Sequence, residues 1–118
     1  MTLRYTPDPA KVREVLKRQP FRMRRKLKRR AKQEVWILEK DTFTLLCMDL
    51  KQTIQVTVPY DAIKGCNERK DTGERKFWTR NGDILAYDWY PDRVFDLLMS
   101  RVFHANRERG NGYDLPNT

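Results

Sequence analysis

Between Phe21 and Lys32 the chain reads FRMRRKLKRRAK, which sets eight cations in twelve residues: Arg22, Arg24, Arg25, Lys26, Lys28, Arg29, Arg30 and Lys32. Lys17 and Arg18 extend the run upstream. Guanidinium groups grip phosphate oxygens in pairs and ammonium groups act as point charges, so the chemistry on offer is neutralisation of a polyanion. At 3.6 residues per turn these cations cover most of a helix circumference, and like charges on successive turns repel. A row of phosphates relieves that repulsion and releases condensed counterions. The charge is also local. Residues 1–33 carry 13 Lys/Arg against Asp8 and Glu14, while residues 34–118 carry 12 against 14 acids, so the formal charge of +9 belongs entirely to the first quarter of the chain. Solubility needs charge, but not this density of one sign.

The expected partner is therefore nucleic acid, DNA or RNA, and the ten residues named above are its expected contacts. This holds if the body's own carboxylates do not neutralise them. A second reading docks the basic helix on an acidic surface of a nucleic-acid-processing enzyme. RRKLKRR also matches a basic import cluster. A membrane-surface helix needs a bulky apolar face, and Met23, Leu27 and Ala31 form a narrow stripe. No zinc-finger spacing, ribonucleoprotein aromatic motif or GXXG loop is present, so phosphate contact with little base selectivity is expected. Trp36, Trp78, Tyr87, Trp89 and Tyr90 are the candidates for stacking on single strands, although such rings in short strands usually belong to a core. Arg69, Lys70, Arg75 and Lys76 could form a second, smaller basic patch, but Glu68, Asp71 and Glu74 sit among them, which reads as a neutral solvated loop.

The case for an enzyme is thinner. His104 is the one histidine, and its place near the end of a helix suits a cation favoured by the helix C-terminus. Asp88 and Asp92 flank Pro91 and read more simply as helix caps than as a metal pair. There is no HExxH, phosphate-cradling glycine loop or GxSxG elbow, so neither metal nor cofactor is expected. A small metal-independent ribonuclease survives as a third reading, with arginines and lysines stabilising a developing phosphorane. The order of basic helices, antiparallel strands and a terminal helix resembles RelE-type bacterial toxins in architecture alone. No motif residue matches, and no catalytic position is carried over.

The elements that must hold these residues follow from periodicity. Asp8-Pro9 marks a helix start, Pro20 a break near Gln19, and a second helix runs from about Phe21 to Gln33. From Glu34 the period falls to two. Glu34–Glu39, Thr42–Asp49 and Thr53–Val58 read as strands, Tyr60–Lys64 as a helical turn, and Gly65–Gly73 as a loop. Arg75–Arg80 and Asp83–Asp88 flank Asn81-Gly82, a type I′ hairpin signal that sets Arg80 opposite Asp83 and Trp78 opposite Leu85. Asp92–Ala105 repeats at helical spacing and should pack on the sheet. The fold class is thus α+β: two N-terminal basic helices, a mainly antiparallel sheet of about five strands and a C-terminal helix packed on it. One domain is expected over 1–118, with a basic segment at 8–33, a compact body at 34–105 and a flexible tail at 106–118.

With 39% hydrophobic residues the chain can bury a modest core. Cys47 and Cys66 offer no CxxC pair and read as plain thiols. No apolar run reaches the ~18 residues of a membrane span, and the N-terminus has no signal-peptide core. A cytoplasmic location is expected, or a nuclear one if the host has a nucleus. No heptad seam specifies an oligomer.

Overall fold

Asp8 holds an extended backbone and its carboxylate accepts the Ala10 N–H at 3.0 Å, with Pro9 as the first helical residue. A helix starts there because the cap satisfies a first-turn donor and proline supplies the φ. The structure, a computed structural model, describes residues 2–49 and 51–110. Its elements are β1 (Leu3–Tyr5), α1 (Pro9–Lys17), α2 (Phe21–Ala31), β2 (Glu34–Leu38), β3 (Thr42–Met48), β4 (Thr53–Pro59), a 3-10 turn (Tyr60–Ala62), β5 (Ile63–Arg69), β6 (Glu74–Thr79), β7 (Gly82–Tyr87) and α3 (Asp92–Glu108). The α+β class holds, with two N-terminal helices and a C-terminal helix.

The strands differ from expectation in number and grouping. Among the described residues seven antiparallel strands form two sheets, β1-β2-β3-β4 and β5-β6-β7, in place of one sheet of about five. β5 takes the last two residues of the expected helical turn and the first five of the stretch expected as a loop. Its alternation is broken by a bulge between Ile63 and Gly65, so the inward residues Ile63 and Cys66 lie three apart and the period of two is hidden. Only the turn after it, closed by Gly73 at φ 73°, is loop. In the next hairpin Thr79 faces Gly82 and Trp78 faces Asp83, which leaves Arg80-Asn81 as the turn. Asn81 has no positive φ, so the type I′ geometry is absent. The Thr79 hydroxyl instead donates to the Gly82 carbonyl and accepts the Asn81 N–H. The register has moved by two residues, and a shift of two keeps every side chain on its face. Asp83 accordingly pairs with Lys76 at 2.8 Å rather than with Arg80.

The inner faces of both sheets meet in one core. Trp36 lies edge-on to Phe43 at 5.2 Å and to Phe77 at 6.1 Å, which joins the first sheet to the second. Val94, Leu98 and Val102 of α3, Val15 of α1, and Leu27 and Ala31 of α2 are buried in the same cluster. The last helix does pack on sheet, through Phe95 against Phe77. It also runs further than expected, to Glu108. Asn106, placed in a flexible tail by its sequence, is buried and donates to the Val102, Ile63 and Tyr60 carbonyls. The tail expected beyond Gly110 lies outside the described residues. Neither Asp88 nor Asp92 caps α3, whose N-cap residue is Pro91 and which has no side-chain cap. Both carboxylates face cations: Asp88 meets Arg75 at 2.9 Å and Asp92 meets Lys11. Cys47 and Cys66 are free and buried, and burial pushes the Cys66 thiol up to about 11.

Candidate nucleic-acid interface

Met23, Leu27 and Ala31 anchor α2 to the core, Met23 from its edge, and everything else on the helix except Arg30 is exposed. The corner between α1 and α2 is closed by Arg24, whose Nε donates to the Gln19 carbonyl at 3.2 Å and whose Nη2 donates to the Lys17 carbonyl at 3.4 Å. A cation suits that position, because the last carbonyls of α1 lack helical partners and carry the negative end of its dipole. Gln19 itself is buried and donates to the Thr72 carbonyl, which ties the break at Pro20 to the β5–β6 turn.

The C-terminal end of α2 is fixed by charge. Arg30 Nε donates to Glu34 Oε2 at 2.6 Å, and its Nη2 reaches the Leu85 carbonyl of β7 at 3.4 Å. Glu34 is fully buried, and its other oxygen accepts the Trp89 indole N–H at 3.1 Å and the Tyr90 hydroxyl at 2.9 Å. Desolvation pulls the Arg30 pKa down, but the adjacent Glu34 carboxylate outweighs it and leaves the guanidinium above its ordinary value. Burial, reinforced by Glu34, pushes the Tyr90 phenol far up, so it remains a donor. Arg29 reaches Asp49 at 3.2 Å across a half-exposed surface.

Of the eight cations from Phe21 to Lys32, two therefore face carboxylates, Arg29 and Arg30. Among the described residues the other six, Arg22, Arg24, Arg25, Lys26, Lys28 and Lys32, have no carboxylate within 4.0 Å, although Arg24 is held by carbonyls. Upstream, Lys17 pairs loosely with Glu14 at 3.4 Å, and Arg18 is exposed with no acidic partner among the described residues. Nine of the ten residues singled out by sequence are thus exposed, on α2 or at the end of a helix, and Arg30 is turned inward.

Beyond residue 33, four of the twelve cations have a carboxylate within 4.0 Å among the described residues. Arg69 meets Asp71, Arg75 meets Glu68 and Asp88, Lys76 meets Asp83, and Arg109 meets Asp61. Three of the four cations of the second basic cluster thus meet carboxylates, Arg69 through its neighbour Asp71 but Lys76 and Arg75 mainly through the more distant Asp83 and Asp88. Arg75 is in addition largely buried, 3.8 Å from the Phe95 ring centroid. Among the described residues Glu34 and Asp49 are the body carboxylates that reach α2.

Three of the five rings considered for stacking, Trp36, Trp89 and Tyr90, are buried in the core. Tyr87 is half-buried under the Arg30 guanidinium, and the Trp78 ring lies against Gly65, where an added Cβ would meet it at 2.2 Å. Sequence reasoning passed over Phe21, which is 87% exposed at the start of α2 with the Arg24 guanidinium 6.0 Å from its ring centroid. The signal was available: at about 100° per residue Phe21 lies well away from the stripe of Met23, Leu27 and Ala31.

A groove of about 550 Å³ opens between the 3-10 turn and α3, lined by Lys40, Asp41, Tyr60, Asp61, Arg101, His104, Glu108 and Arg109 among others. Its charges are matched, and Arg101 donates inward to the Glu39 carbonyl and the Tyr60 hydroxyl. His104 is exposed, touches the Phe103 ring edge-on, and has no hydrogen-bond partner among the described residues. A base without an orienting partner is a poor start for nucleophile activation. Among the described residues no group of three or more His, Cys, Asp or Glu is placed to hold a metal, and no helix is long and apolar enough to cross a membrane. No family model, curated protein or solved structure matches the chain.

Proposed function

We propose that this protein binds nucleic acid through α2 and the end of α1, as a non-enzymatic regulatory or accessory factor. The observation that carries the reading is the density of unmatched charge: among the described residues six of the eight cations from Phe21 to Lys32 have no carboxylate within 4.0 Å, while residues 34–118 carry 12 cations against 14 acids. Eleven residues of helix span about 16 Å, the axial length of about five phosphates on one strand of a duplex. A helix so placed positions the protein on a backbone without reading bases.

The test is salt-titrated binding to oligonucleotides. If about six phosphates are neutralised, log K falls with log salt at a slope of about −5 on duplex DNA and about −4 on a single strand. The variant for comparison is Arg22→Ala, Arg25→Ala, Lys26→Ala and Lys28→Ala combined, which leaves Arg24, Arg29 and Arg30 to their structural contacts. Its slope on duplex should flatten to about −2, with affinity at low salt reduced at least tenfold. Unchanged binding by this variant overturns the proposal, as does binding confined to a protein partner.

A further inference from the structure

We infer that Phe21 is a base-stacking platform and that the preferred nucleic acid is single-stranded or locally unpaired; this rests on the reading of α2 as a polyanion-binding helix. Among the described residues Phe21 is the most exposed large hydrophobic side chain, at 87% against 62% for Met48 and 49% for Phe103. A ring left in water contributes nothing to the core, and phenylalanine forms helix less readily than the arginines and lysines around it. The fold therefore supplies no reason for it.

Its surroundings supply one. At about 100° per residue, Phe21 shares a row with Arg25, Lys28 and Lys32, all exposed, and turns away from the buried stripe. Arg24 stands 6.0 Å from its ring centroid. An aromatic face opening at the end of a row of unpaired cations is what single strands require: the cations follow the phosphates while a base stacks on the ring. A closed duplex hides its base faces and engages the cations alone. A lone ring among charges does not make an apolar membrane-inserting face, and the excess of positive charge selects a strand of phosphates.

The test uses the full chain with labelled oligo-dT, oligo-rU and a matched duplex at one low salt concentration. Phe21→Ala should weaken single-strand binding about tenfold while duplex binding stays within about twofold. Phe21→Trp should restore single-strand affinity, with its fluorescence quenched on binding, and Phe21→Leu should behave like the alanine variant. Thermal unfolding of all three should match the parent, because the side chain is exposed. An equal loss on both forms, no loss on either, or rescue by leucine overturns the platform while leaving the α2 interface standing. Failure of the parent to bind any of the oligonucleotides overturns both.

Discussion

Arg30 illustrates how a residue drawn from a uniform-looking run acquires a separate role. The neighbouring cations Lys28, Arg29 and Lys32 are exposed, while the Arg30 side chain is about one quarter exposed and neutralises Glu34, which has no other cation within ion-pair distance among the described residues. Arg30→Ala leaves that carboxylate buried with only the Trp89 and Tyr90 donors, and removal of one partner of a buried pair costs about 3 kcal/mol. Urea unfolding should show that loss, and Arg30→Ala placed in a Glu34→Gln background should show much less of it. Equal losses in both backgrounds would mean that Arg30 stabilises by packing on Tyr87 rather than by charge. The same contrast guides any functional substitution on α2: alanine at Arg30 tests folding, whereas alanine at Arg25 or Lys28 tests binding. Within the run, pairing status was not legible from sequence, because the eight cations differ only in what faces them.

At the scale of elements, the least legible strand is the one that completes the second sheet. β5 carries a bulge, and its Gly65 lies against the Trp78 ring of β6 with no room for a methyl group. Glycine here answers a close approach between strands rather than a turn. Gly65→Ala must displace the indole or the strand, and overpacking of this kind costs about 1–3 kcal/mol. The expected result is a lower urea midpoint with the slope unchanged; a variant as stable as the parent would show that Trp78 can move without cost. The helices were more legible. Asp8, Pro9 and Pro20 act within a few residues, so the start of α1 and the break before α2 follow from local chemistry. The Asn81-Gly82 signal located the hairpin but not its turn: the Thr79 hydroxyl bonds, the Lys76–Asp83 pair and the burial of Phe77, Ile84 and Ala86 accompany a register two residues away.

For the whole molecule, the main consequence is an asymmetric field that the fold leaves uncompensated. From Arg22 to Lys32 there are five like-charged pairs at i,i+4: Arg22/Lys26, Arg24/Lys28, Arg25/Arg29, Lys26/Arg30 and Lys28/Lys32. At a few tenths of a kcal/mol each, they oppose folding by roughly 1–2 kcal/mol at low ionic strength. The exposed ion pairs of the body are worth little and lose little on screening. Raising sodium chloride from about 20 to 200 mM should therefore raise Tm by about 4 °C, and a short polyphosphate should do so at lower concentration. A Tm that falls with salt would show that attractive pairs outweigh the repulsion along α2.

By itself the amino-acid sequence determined the α+β class, the helix boundaries near Asp8 and Pro20, and the confinement of positive charge to the first quarter of the chain. Each of these rests on interactions within a few residues or on composition. The tertiary structure decided the division of seven strands into two sheets, the burial of Trp36, Trp89 and Tyr90, the exposure of Phe21, and which cations meet acids. Those outcomes depend on groups dozens of positions apart, such as Arg30 with Leu85 or Glu34 with Tyr90. Only a folded chain brings such groups into contact, and proximity rather than residue type then sets their charge balance and exposure.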